Sequence, residues 1–122
     1  MATGSRPTDS IMITKIVVDV EATCSDKNAS LFPRHEMEII EIGACALNGE
    51  YEVIGEFSEF IKPIRNPELT EFCKNLTTIT QEQVDSADTF PIVNAKFKEW
   101  MSQFEKPSFN SWGYFDKSIW EK

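Results

Sequence analysis

Apolar residues run almost unbroken from Met12 to Val20 (MITKIVVDV), and the β-branched content of that run predicts a strand lying centrally in a sheet covered on both faces. Residues 25–35 mix Asp, Asn, Ser and Pro and read as a loop. Glu38 to Leu47 (EIIEIGACAL) predicts a second strand, Asn48-Gly49 a hairpin turn, and Tyr51 to Ile61 the returning strand. Pro63 and Pro67 then interrupt any ladder. Thr80, with Gln83 three residues later, has the form of a helix N-cap and its box partner, predicting a short helix to Asp85 or Ser86. Phe90-Pro91 opens a second helix in which Ile92, Val93, Phe97, Trp100, Met101 and Phe104 recur at three- and four-residue spacing. Lys106-Pro107 stops it, Phe109 to Trp112 suits a fourth strand, and Phe115 to Glu121 suits a third helix.

This succession predicts an α/β domain built on a mixed sheet. Strand one pairs with strand two on one side and strand four on the other. A helical crossover between strands of one sheet is right-handed in nearly all cases, so strand four should run parallel to strand one. At 122 residues the chain holds one domain or part of one. Residues 1–10 read as a disordered leader, and 11–122 as the folded unit.

Composition narrows the chemistry. A net charge of −8 argues against holding nucleic acid by a broad basic surface, although bound cations can reverse the sign locally. No apolar run approaches the roughly 18 residues that span a bilayer, and no membrane partner is expected. The three cysteines, Cys24, Cys45 and Cys73, form no CxxC pair and fit reduced thiols of an intracellular protein, cytoplasmic or nuclear.

The most informative polar residues are Asp19 and Glu21. Residues i and i+2 of a strand share a face, and two carboxylates held together in a half-buried setting call for a cation. With six Asp and fourteen Glu in the chain, Asp-x-Glu alone is a weak motif, and its position at a strand end carries the weight. Asp116, just beyond predicted strand four, falls at the same sheet edge, where α/β sheets build their sites. Three such acids suit Mg²⁺ or Mn²⁺.

Asp19-x-Glu21, then Glu38-Ile-Ile-Glu-Ile-Gly43, then Phe72-Cys-x-x-Leu-Thr-x-Ile-Thr80, then Ser111-Trp-Gly-x-x-Asp116 occur in the order that makes the chain resemble the DEDDh 3′-to-5′ exonucleases. The likeness is greatest to the branch of KapD-type and histone-mRNA exonucleases. It implies a ribonuclease-H-like fold with three antiparallel strands and a parallel fourth. It also implies two-metal hydrolysis at the 3′ end of single-stranded RNA or DNA, RNA favoured. By that resemblance Asp19 bridges two ions, Glu21 binds the first and Asp116 the second. Ala22 and Thr23 contact the terminal nucleotide, Leu76 and Ile79 wedge against its base, and Trp112 stacks. For Thr23 capping of the strand end, and for Leu76, Ile79 and Trp112 a place in the core, are the alternatives. Glu41 is expected to face the metal edge behind the ligands or to be a half-exposed strand acid, while Phe72 and Cys73 are expected to pack. Cys24 lacks a histidine partner for covalent chemistry.

The family's third block, a catalytic His and a last Asp, is not found in the 122 residues, and the one histidine, His35, lies in the predicted loop. The expectation is therefore a domain truncated before that block and poorly active, with self-association through an exposed sheet edge. The rival is a non-catalytic protein- or nucleic-acid-binding module derived from an exonuclease.

Overall fold

The computed structural model describes residues 13–25 and 37–111. Its elements are β1 (Thr14–Ala22), β2 (Ile39–Leu47), β3 (Val53–Phe60), α1 (Glu71–Thr77), α2 (Gln81–Asp85), α3 (Phe90–Met101) and β4 (Pro107–Ser111). They form one four-stranded sheet in the order β3-β2-β1-β4. β1 is antiparallel to β2 and parallel to β4, and β2 is antiparallel to β3. This is the expected mixed topology.

The β1 run is continuous in sequence but alternates in burial. Ile16, Val18, Val20 and Ala22 are buried, whereas Lys15 and Asp19 are exposed and Val17 and Glu21 half-buried. Expected cover on both faces of β1 is thus absent among the described residues. The even positions alone enter the main core, with Ile39, Ile42, Ala46, Ile61, Val93 and Phe97. β1 also extends two residues beyond its expected end, because Glu21 pairs with Glu41 and Ala22 with Ile39.

α3 covers the core face. Phe97, wholly buried, meets Phe57 edge to face at 5.2 Å between ring centroids, while Trp100 contacts Phe57 at 5.6 Å and Phe104 at 5.0 Å. Ile92, expected on that apolar face, is exposed, since Val93 and Phe97 at i and i+4 define the buried stripe. Phe104 belongs to the same aromatic row but lies beyond the helix end.

A helix that the apolar periodicity did not announce is α1. Thr70 caps it by accepting a hydrogen bond from the Cys73 amide, and Thr78 ends it in the left-handed region at φ 63°. Both signals are muted in the sequence, because Cys73 at N3 makes no capping box and left-handed ends are normally Gly or Asn. The α2 box is present as expected, with Thr80 and Gln83 bonding reciprocally. The hairpin forms too, but its left-handed residue is Tyr51 at φ 62°, and Asn48 Oδ1 accepts the amides of Glu50 and Glu52. β4 begins at Pro107, where a strand's first residue can lack a ladder donor.

Gly55 faces the aromatic row: a Cβ there would lie 2.7 Å from the Phe104 ring, against an ordinary 3.7 Å for the nearest atom to a Cβ on Gly43. Gly55→Val is expected to destabilise the fold by about 1–3 kcal/mol, the usual cost of overpacking. Gly43→Ala should cost about 1 kcal/mol or less. Urea denaturation of the two variants checks this, and equal losses would contradict the packing described.

Candidate active site

The carboxylates sit where strand alternation puts them. Asp19 and Glu21 share the face of β1 turned away from α3, and the register places Gly43 opposite Asp19 and Glu41 opposite Glu21. Ala22 pairs not with Ile40 but with Ile39, so Ile40 is the extra residue of a β-bulge. Regular alternation would turn Glu41 away from both Ile40 and Ile42. The bulge corrects this: Ile39 and Ile42 enter the main core, whereas Ile40 joins a second cluster with Leu69, Cys73, Ile79 and Val84. Phe60, the register partner of Glu41, packs on that second cluster, which therefore lies on the carboxylate face.

Burial beside this cluster, and then the charge of Asp19, push the Glu41 carboxyl above its ordinary range. Glu41 thus stands next to Asp19 and across from Glu21, a crowd of hard oxygen donors that repel one another in the absence of a cation. Among the described residues no three acidic, thiol or imidazole side chains form a group able to hold a metal ion. Asp116 and Trp112 lie outside the described residues, as do His35 and the expected 115–121 helix and 1–10 leader. β4 runs parallel to β1 and reaches Ser111 beside Val18, one residue short of Asp19.

The strand exit is built by cross-links. The Thr23 hydroxyl, almost fully buried, accepts the Glu38 amide at 2.9 Å, and the Thr23 amide donates to the Glu38 carbonyl at 2.8 Å. Its hydroxyl is therefore engaged in holding the strand end. Ala22 is buried, and its carbonyl accepts the Cys73 thiol at 3.7 Å. Ile79 is buried in the second cluster, the core place weighed for it. Leu76 is 66% exposed and Phe72, one turn earlier on α1, is 42% exposed. Phe72 was expected to pack; its neighbour Cys73 takes the inward position instead. Cys24 is half-buried, and its thiol is pushed up to about 12, first by burial and then by Cys73 and Glu21. A thiol so protonated is no nucleophile at neutral pH.

Glu38 carries a role that the sequence did not single out. Its carboxylate accepts the amides of Ile64 and Arg65 at 2.8 Å each and of Asn66 at 3.2 Å, so one side chain organises the loop after β3 while its backbone holds Thr23. Only the tertiary structure brings these amides together; the nearest signal is an acid just before the strand.

Residues 16–107 match the RNase T family of exonucleases. The chain belongs to the DEDDh 3′-to-5′ exonuclease family. It is 41% identical over 106 residues to 3′-5′ exoribonuclease 1 of Rattus norvegicus, covering 86% of this chain and 30% of that protein. ERI1 exoribonuclease 3 of Homo sapiens is 36% identical over 89 residues, covering 72% of this chain and 25% of the relative. The nuclease domain of 3′hExo, a DEDDh family member bound to rAMP, superposes with a TM-score of 0.78 at 37% identity, covering 89% of this chain and 56% of that one. A 3′-exonuclease with specific 3′-end recognition of the histone mRNA stem-loop gives a TM-score of 0.79 at 36% identity, with 93% and 40% covered. The chain thus spans about a third or less of the length of the curated relatives it matches.

Two outcomes follow from these carboxylates. Glu38→Ala removes the acceptor for three amides and should cost about 1–3 kcal/mol, with faster hydrogen exchange at Ile64, Arg65 and Asn66; unchanged exchange there would contradict the role assigned. For Glu41, a carboxyl raised by folding supports the fold below the ordinary glutamate range and loses that support as pH rises through its elevated value. With Asp19 and Glu21 facing it, Glu41→Gln should raise the melting temperature at pH 7 without divalent ions and have little effect at pH 4. Equal shifts at both pH values would refute the electrostatic cause.

Proposed function

We propose that this chain carries the metal-binding half of a 3′-to-5′ exonuclease site acting on the 3′ end of single-stranded nucleic acid, with RNA favoured over DNA. The observation that supports it best is the pairing of Asp19 and Glu21 on one open face at the end of β1, with Glu41 across from Glu21. The donors are all hard oxygens, and the raised Glu41 carboxyl marks a site short of positive charge, which fits Mg²⁺ or Mn²⁺. Asp19, Glu21 and, by family resemblance, Asp116 would hold the ions. Bound there, divalent cations supply Lewis acidity at the attacked phosphate and the leaving 3′ oxygen.

The chain's own residues account for orientation. Glu41, held beside Asp19, restrains the carboxylates by charge, and Gly43 opposite Asp19 leaves that part of the face without a side chain. Ala22 and Thr23 form the floor of the strand exit, and with the Thr23 hydroxyl and amide and the Ala22 carbonyl engaged, contact with a terminal nucleotide falls to the backbone atoms not so bonded. Leu76 and Phe72, exposed on α1 beside that exit, offer an apolar surface for a base, and a base stacked on an aromatic such as Phe72 typically gains about 1–3 kcal/mol. RNA is favoured because the similar proteins are exoribonucleases by name and one of them recognises an mRNA stem-loop.

Calorimetric titration of Mn²⁺ into the wild type and Asp19→Asn tests the reading. Binding heat in the wild type should vanish in the variant, and equal heats from both would sink the proposal. Addition of 5′-labelled single-stranded RNA with Mn²⁺ should give products shortened from the 3′ end. RNA binding that Asp19→Asn leaves unchanged, with no shortened product, would favour the non-catalytic binding module.

A further inference from the structure

The carboxylate site leaves one reactive feature unused, the two thiols at the junction of β1 and α1. Cys24 follows β1 by two residues, and Cys73 is the inward residue of the first turn of α1. The Thr70 hydroxyl bridges their backbones, donating to the Cys24 carbonyl at 2.6 Å and accepting the Cys73 amide at 3.0 Å. Cys24 packs on the same apolar cluster that encloses Cys73, and Cys73 is among the groups that push the Cys24 thiol up. The third thiol, Cys45, is remote. It pairs with Val17, five residues before the end of β1, which at the rise of a strand places it roughly 15 Å away.

We propose that Cys24 and Cys73 are a redox modification site, joined by two-electron oxidation into a disulfide that ties the end of β1 to α1. With hydrogen peroxide as oxidant, one thiol gives up its proton and its thiolate attacks the O–O bond, forming a sulfenic acid and hydroxide that takes up that proton as water. The second thiol then displaces hydroxide from that sulfur, forming the S–S bond and a second water, and the two electrons reside in the reduced peroxide. Disulfide sulfurs stand about 2.05 Å apart, far inside the contact distance of two free thiols, so α1 must draw toward residues 22–24. Oxidation also removes the S–H that Cys73 donates to the Ala22 carbonyl, one residue from Glu21. The modification therefore acts on the strand exit and on the helix bearing Phe72 and Leu76. Burial raises the Cys24 thiol and encloses Cys73, which makes the pair slow to oxidise until a strong oxidant or local opening reaches it.

The proposal stands independently of the nuclease reading, and its test needs no activity. The native chain is treated at pH 8.5 with diamide, whose N=N bond takes up two electrons and two protons from a thiol pair. It is then alkylated, digested without reduction and mapped by mass spectrometry. Before alkylation the expected product is about 2 Da lighter than the untreated chain; after it the digest contains a Cys24–Cys73 linked peptide with Cys45 alkylated, and the link reverts with dithiothreitol. The Cys24–Cys73 link should exceed any link to Cys45 by about tenfold or more, as tethered neighbours outcompete distant groups. Cys45→Ser should react identically. Links to Cys45, links only between chains, or a Cys24–Cys73 link that forms equally fast in 6 M guanidinium chloride would each overturn the proposal, as would no mass loss at all.

Discussion

The antiparallel pairing of β1 with β2 is the constraint on which the rest of the structure depends. A strand has two faces, and a one-residue slip exchanges them completely. In the observed register Val20 pairs with Ile42 and Val18 with Ala44, which sends one set of side chains under α3 and leaves Asp19, Glu21 and Glu41 on the other face. The core and the carboxylate site are therefore two sides of a single pairing. Burying Ile16, Val18 and Val20, each worth about 1.5–3 kcal/mol of transfer free energy, locks that register and with it the acids.

The bulge at Ile40 modifies this rule at one place and lets β2 serve two clusters. A regular strand would have put Ile40 beside Ile42; the inserted residue instead sends Ile40 to the cluster built by α1 and α2. That cluster encloses Cys73 and abuts Glu41, so the same irregularity that anchors α1 half-buries Glu41 while Asp19 stays exposed. Bulges commonly re-aim side chains beside active sites.

Glu38 and Glu41, three residues apart, show how environment divides one residue type between two tasks. Three amides aimed at the Glu38 carboxylate make it a hub that organises the loop after β3. Glu41 is raised by burial and by Asp19, a setting that favours a bound cation. The difference lies in whether the nearest partners are donors or other acids.

Much of the fold was legible in the chain. Strand and helix periodicity, the Thr80 box, the Asn48-Gly49 hairpin and the parallel fourth strand follow from local preference and the handedness of crossovers, which act within a few residues or on the whole sheet. The placement of Asp19 with Glu21 on one face was legible for the same reason, since a period of two is intrinsic to a strand. Tertiary packing decided what local pattern leaves open. It chose which face of the uniformly apolar β1 is covered, turned Cys73 inward and Phe72 outward on a helix with weak end signals, and shifted Ile40 across the sheet. It also gathered around Glu38 amides from 26 to 28 positions along the chain. These outcomes depend on contacts between segments far apart in sequence, whose energies appear only when the sheet and its helices are assembled.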